Sequence, residues 1–464
     1  MTDHSSAAST ALGTAARPLR VAIIGSGPSG FYAAAALFKA GIDVRVKMFE
    51  RLPTPFGLVR FGVAPDHAKI RNVIKTYEKT ATDPRYQFWG NITIGKDITV
   101  EELKQHFDAI IYAFGAKADR KLGVPGEDLK RVYSATDFCG WYNGHPDHQH
   151  HQFDLDQSVA AVFGQGNVAM DVVRILAKQA GQLHPTDMVS PAINALARSK
   201  VKTIYCIGRR GPVQAAFTPK EIGELGELEG VDVVIDPKDL ELNEVNRQEL
   251  ELPDNTQAQR NFEILKELAA KPATGAPRPR KIVIRFYESP IEIKAGADGG
   301  AAQVVLEKNV LEGEPGQQKA RGTGETQTLD CGIVLRSVGY KGVSIPGVPF
   351  DDRKGVIPNT NGRVSVGEYV VGWIKRGPQG LIGTNKKDSE DSVSQLLADV
   401  SKLTPAVHAD DESVAALLRG RGVRVVRYGD WLKIDAAEIE RGKKLGKPRD
   451  NFTSINDMLA VLDG

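Results

Sequence analysis

Gly25, Gly27 and Gly30 stand directly behind the apolar run VAII in the pattern G-x-G-x-x-G. That spacing lets a chain turn tightly after a strand, bring its backbone close to a pyrophosphate and pack the next helix against the sheet. The helix N-terminus then faces the phosphates. Glu50 closes the following apolar run. A carboxylate there accepts hydrogen bonds from a ribose 2′-OH and repels a 2′-phosphate, so this loop is expected to hold FAD or NAD and to refuse NADP. A second loop reads Gly164, Gln165, Gly166, Asn167, Val168, Ala169, the G-x-G-x-x-A variant, and the run behind it, TIYCIGRR, ends in Arg209 and Arg210. Guanidinium forks suit the extra phosphate of NADP, the competing reading of the pair being ordinary surface ion pairs. One acid-capped and one arginine-capped site in one chain suit a resident FAD and a visiting NADPH.

Two other groups of reactive side chains point elsewhere. His145, His148, His150 and His151 lie together in HPDHQHH. The proline, the polar composition and the absence of a nearby coordinating cysteine favour an exposed loop, and no metal is assigned. Cys139, Cys206 and Cys331 are far apart and make no C-x-x-C, no zinc spacing and no secreted disulfide framework. Without vicinal thiols, electrons have to leave from a flavin itself.

The elements that must position these residues follow from periodicity. LRVAIIGSGPSGFYAAAALFKAGIDVRVKMFE reads as strand, turn, helix, strand, and the same grammar returns from SVAAVFGQGNVAMDVVRILA to VKTIYCIGRR. Two βαβ units suggest two nucleotide sites. FDAIIYAFGAK reads as another buried strand. KIVIRFYESPIEIK, AQVVLEKNVL and CGIVLRSVGY alternate, and the stretches KAGADGG and GEPGQQKARGTGET between them are expected as loops of a small antiparallel meander. The segment 271–280 is expected as a flexible linker, and residues 1–17 as a short disordered tail with no signal or transit features.

The whole chain has 464 residues, with 60 Lys plus Arg against 58 Asp plus Glu and 41% hydrophobic residues. That length accommodates two or three folding units. The near-neutral balance lacks the basic excess of a nucleic-acid binder, and no apolar run is long enough to span a bilayer.

LPTPFGLVRFGVAPDH, FWGNITIG, GWYNG, FGQGNVAMDVVRIL, IGRRGPVQAAFTPKE and GWIKRGPQGLIGT, with the closing GDWLKIDAAEIERG and GKPR, resemble the adrenodoxin-type ferredoxin-NADP reductases along nearly the whole chain. The resemblance implies an α/β fold of two Rossmann-like dinucleotide-binding domains. The NADP domain, 119–335, would be inserted into a discontinuous FAD domain, 18–118 and 336–464. It implies that Ser29, Glu50, Leu58 and Ile94 contact FAD, and that Trp373 with the backbone of Gly380, Leu381 and Ile382 covers the isoalloxazine end. NADP would meet Gln165, Gly166, Asn167, Val168, Arg209, Arg210, Glu221 and Gly380.

His67 and Asp171 are the ionisable candidates beside the reacting rings, placed there by the same resemblance. Hydride transfer needs aligned rings more than an acid or base, so both are expected to position groups or relay protons. The partner implied is a ferredoxin or similar one-electron carrier. Arg60, Lys69, Arg71, Lys75, Lys375 and Arg376 are read either as a solvated face or as a candidate basic docking face, and ELELPDNTQAQR is acidic where mitochondrial members carry a basic stretch. The expected function is ferredoxin-NADP reduction by a cytoplasmic monomer. The alternatives are an electron-input subunit like the glutamate synthase small chain, which would carry a cysteine-rich N-terminal segment, and a non-catalytic FAD/NADP redox sensor.

Overall fold

The computed structural model describes residues 11–271 and 278–463. It divides into two compact units, Met1–Ala118 with Tyr340–Gly464, and Asp119–Gly339. The second crossing thus falls at 339/340 and not at 336, because Ile333–Arg336 is a strand of the second unit's sheet.

In the first unit a six-stranded sheet runs in the order Arg363–Ser365, Glu368–Val370, Ala109–Tyr112, Leu19–Ile24, Val44–Phe49, Tyr86–Trp89, with every neighbouring pair parallel except the first. Every residue of Leu19–Ile24 is buried, as an apolar run covered on both faces requires. Leu19, Val21 and Ile23 enter one core cluster, and Ala22 and Ile24 enter the other. The helix Pro28–Phe38 follows the first glycine loop, with proline in its first turn where no amide hydrogen is needed.

In the second unit the parallel order is Val132–Ser134, Ile333–Arg336, Val159–Phe163, Thr203–Ile207, Arg280–Arg285, Val231–Ile235. The antiparallel meander differs from expectation. Its strands are Glu288–Ala295, Ala301–Glu312 and Lys319–Asp330, while Arg280–Arg285 and Ile333–Arg336, expected to be part of it, join the parallel sheet. Lys319–Asp330, expected as mostly loop, lies on the edge with most side chains exposed, so it carries no apolar alternation to betray it.

Residues 11–17 are not a free tail. Asp43 N–H donates to the Gly13 carbonyl, Leu12 packs on the core, and Arg17 pairs with buried Asp108 at 2.8 Å. The remainder of the expected tail, 1–10, and the middle of the expected linker, 272–277, lie outside the described residues. Arg280, at the linker's end, is anchored by donating to the carbonyls of Leu176 and Lys178.

Candidate functional site

Gly25 has φ +105°, and a Cβ there would sit 2.6 Å from the Ala113 carbonyl oxygen. A Cβ on Gly30 would sit 2.4 Å from the Gly25 oxygen, so helix and loop close only around glycine. Gly27 is different: its Cβ position is open, the space a pyrophosphate takes beside the backbone. Ser29 is buried near the helix start, where Ser389 Oγ donates to its carbonyl. Glu50 sits at the strand end. Its Oε2 accepts from Ser26 Oγ at 2.7 Å and Ser26 N–H at 3.1 Å, while Oε1 accepts from Leu52 N–H at 3.1 Å.

Phe56, which sequence reasoning missed, is held at φ +83°, a conformation uncommon for any residue but glycine, with its N–H bonded to the Ser26 carbonyl. The turn brings Gly57 to Gly27, where a Cβ on Gly57 would be 3.0 Å from the Gly27 Cα. Leu58 then opens a four-residue helix and is partly exposed, whereas Ile94 is packed in the core. His67 is buried and caps the helix Ala68–Arg71.

In the same unit, Trp373 opens the helix Trp373–Arg376 with its ring 5.4 Å from that of Tyr340. Its indole Nε1 is buried and makes no hydrogen bond. Asp388, also missed, organises this end: one carboxylate oxygen accepts from Gly372 N–H at 2.6 Å and Arg376 Nη1 at 2.9 Å, and the other lies 2.8 Å from Lys375 Nζ. Gly380, Leu381 and Ile382 form an exposed to half-buried turn. The helix behind them begins at Thr384.

In the second unit Gly164 has φ +134°, and a Cβ would sit 2.1 Å from the Ser337 carbonyl oxygen. Gly166, like Gly27, is open. Gln165 Nε2 donates to the Arg285 carbonyl at 2.9 Å, and Asn167 Oδ1 accepts from Thr218 N–H at 2.8 Å, so side chains of the loop pin its course. Val168, in the first turn of the helix Asn167–Ala177, packs half-buried on the core. Arg209 is exposed and Arg210 half-buried. Among the described residues neither has a carboxylate within ion-pair distance. Arg210 Nη2 donates only to the Gln214 carbonyl, at 3.3 Å, and its pKa is depressed first by burial and then by the like charge of Arg209. Glu249 acts on Arg210 only from beyond ion-pair distance, and two neighbouring cations with no carboxylate in contact attract a dianion.

Asp171 and Glu221 share one partner that the sequence did not flag. Buried Arg174 donates from Nη2 to Asp171 Oδ1 at 2.6 Å and from Nη1 to Glu221 Oε2 at 3.1 Å. Burial pushes the Glu221 carboxyl pKa up against the pull of that guanidinium. The three cysteines are buried, and desolvation pushes each thiol up to about 12. None is available as a thiolate.

The candidate basic docking face is mostly engaged elsewhere. Arg60 and Arg71 are buried, Arg60 against Glu438 and Arg71 donating to the Val63 carbonyl. Lys375 and Arg376 are tied to Asp388. Their charge serves the fold, and only Lys69 and Lys75 of that set are exposed. No helix among the described residues is long and apolar enough to cross a membrane.

Residues 19–205 match the pyridine nucleotide-disulphide oxidoreductase family model. Over 96% of its length the chain is 45% identical to NADPH-ferredoxin reductase FprA of Mycobacterium tuberculosis, covering 99% of that protein. It is 43% identical to the mitochondrial NADPH:adrenodoxin oxidoreductase of Salvelinus fontinalis, over 97% of this chain and 92% of that one. The solved structure of M. tuberculosis FprA in complex with NADPH superposes with a TM-score of 0.90 at 43% identity, covering 97% of this chain and all of that one.

Proposed function

The chain belongs to the family of NADPH-ferredoxin and NADPH:adrenodoxin reductases, and from that premise we propose that it oxidises NADPH and delivers the electrons singly to a ferredoxin-type iron–sulfur protein. It is an FAD- and NADP(H)-dependent oxidoreductase. FAD, when bound, supplies the exchange between a hydride pair and single electrons.

The residues fit that cofactor. The open Cβ position of Gly27 leaves room for the pyrophosphate, Glu50 is fixed at the strand end for the adenosine ribose, and the indole N–H of Trp373, unpartnered among the described residues, offers a donor next to Gly372, whose Cβ position lies 2.4 Å from Ser29 Oγ. Gly25, Gly30, Ser29, Leu58 and Ile94 complete the FAD-binding set in this reading. Gly380, Leu381 and Ile382 lead into the 15-residue helix Thr384–Ala398, whose N-terminal dipole favours negative charge on the turn.

Gly166 holds the NADP pyrophosphate, Gln165, Asn167 and Val168 shape its loop, and Arg209 with Arg210 takes the 2′-phosphate. Arg174 orients Asp171 and Glu221 as positioning groups, and His67 is the further ionisable residue assigned to the reaction. The observation that carries the reading is the contrast between Glu50, held in place by backbone and serine donors, and the Arg209–Arg210 pair, which has no carboxylate within ion-pair distance among the described residues.

The decisive assay is NADPH-driven reduction of cytochrome c by the purified yellow protein, with and without added ferredoxin and with a small-molecule dye as control. A rate that rises and saturates with ferredoxin is the expected result. Dye reduction without stimulation by any ferredoxin or flavodoxin would keep the NADPH and flavin chemistry and remove the proposed acceptor.

A further inference from the structure

The histidine-rich segment, read from sequence as an exposed loop without metal, is folded back on the helix Ala135–Tyr142, where it meets a carboxylate. His148 Nδ1 lies 3.1 Å from Asp137 Oδ1, and His151 Nε2 lies 3.7 Å from Asp137 Oδ2. One ligand atom from each of Asp137, His148 and His151 falls within 4.8 Å of the other two. The ligand atoms of His145 and His150 fall outside this group, although their rings adjoin those of His148 and His151.

Zinc held by imidazole nitrogen and carboxylate oxygen at about 2.0–2.2 Å in a tetrahedron places its donors about 3.3 Å apart. The two observed separations bracket that edge length. His148 Nδ1 is also buried from water and faces the Asp137 carboxylate at 3.1 Å. A buried nitrogen facing a carboxylate at this distance is an arrangement that a cation between them completes.

The surroundings are built for this approach. A Cβ on Gly140 would sit 2.1 Å from His148 Cδ2, so only glycine at that helix position lets the imidazole lie against the helix. His145 N–H donates to the Gly140 carbonyl at 2.8 Å, and Gln149 Nε2 donates to the carbonyls of Trp141 and His145, each at 3.1 Å. Bonds among helix and loop thus fix the ligands beforehand, lowering the ordering cost of binding. Two nitrogens and one oxygen favour a borderline transition metal over the all-oxygen shells of calcium and magnesium.

We propose that Asp137, His148 and His151 form a zinc-class divalent metal site, with solvent at the remaining position, that clamps the loop 143–152 to its helix. The site is independent of the flavin chemistry.

The test uses untagged, FAD-loaded protein and Zn²⁺ alone, titrated in competition with a chromogenic chelator. One equivalent should bind, and Asp137→Asn, His148→Ala and His151→Ala should each weaken affinity at least tenfold, with His184→Ala unchanged. Zn²⁺ should also raise the melting temperature of the wild type and not that of His151→Ala. Because His148 is seated against the helix and its variant could unfold, the half-exposed His151 provides the second arm, with retained flavin and dye reduction as the folding control. Binding below one equivalent, or equal affinity in wild type and His151→Ala, would overturn the proposal.

Discussion

Arg60 and Glu438, 378 positions apart in sequence, form a buried ion pair at 2.5 Å. Both side chains are nearly inaccessible to water, and the guanidinium also lies 5.0 Å from the ring centres of Phe61 and Trp431. Glu438 Oε1 further accepts from Phe452 N–H, so one carboxylate joins the segment after Gly57 to the helix Tyr428–Lys444 and to the chain beyond it. Removing Glu438 strands the Arg60 guanidinium where water cannot reach it, whereas Glu438 also has Arg449 Nη1 at 3.6 Å.

Glu438→Ala should therefore cost about 3–5 kcal/mol of stability in denaturant unfolding. The double change Arg60→Met, Glu438→Leu should cost much less, since no buried charge then remains. A loss below about 1 kcal/mol for the single variant would mean that the pair is solvated in solution.

Arg209 and Arg210 have no carboxylate within ion-pair distance among the described residues, so replacing both by glutamine should leave folding intact and raise KM for NADPH far more than for NADH. The expected difference is about 1.5–3 kcal/mol for each charge-assisted hydrogen bond lost. Equal losses with the two nucleotides, measured as kcat/KM, would refute the assignment of the 2′-phosphate to this pair.

Gly164 and Gly166 separate fold from function within one loop. Gly166→Ala puts a methyl into open space at an ordinary φ of −102°, so stability should change by no more than about 0.5 kcal/mol while NADPH binding falls. Gly164→Ala meets the Ser337 oxygen at a φ favouring glycine, and should destabilise the protein. Calorimetry and nucleotide titration on the two variants would show opposite patterns, and two destabilised variants would contradict the open approach at Gly166.

Lys47 gives a pH signature. Burial lowers its pKa from 10.5 to about 8, with Asp411 pulling upward and Arg20 and Arg427 adding to the depression. Between pH 8 and 10.5 the unfolded chain keeps a proton that the native one has released, so stability rises with pH through that window. The gain is up to about 3 kcal/mol across it. Lys47→Met should flatten this portion of the profile in urea titrations at pH 7.5 and 10, and parallel profiles for wild type and variant would exclude the effect.

Both βαβ units were legible because two glycine loops each sit between a buried strand and a helix, and glycine, acid and arginine types announce their chemistry locally. What sequence could not show was partnership at a distance. Asp388 looks like any surface acid of a helix until the fold brings Gly372, Lys375 and Arg376 to it. The same is true of Arg174 between Asp171 and Glu221. For the same reason the basic residues could be read along the chain either as a solvated face or as a docking face, since charge counts say nothing of which cations already have acids. Phe56 carries no signal at all, because a left-handed backbone at phenylalanine is imposed by surroundings and not by residue type.

The strand Lys319–Asp330 has one long side without a neighbour among the described residues. Bare strand edges of this length recruit edges of other molecules and seed fibrils. Here Lys319, Arg321, Glu325 and Asp330 are spread among threonines and glycines, with Leu329 its only large aliphatic side chain. A second copy laid alongside would set these charges against its own and bury almost nothing oily in return. The feature that hides this strand from pattern reading also keeps it from joining an aggregate, so the molecule can be crowded without its open edge becoming a template.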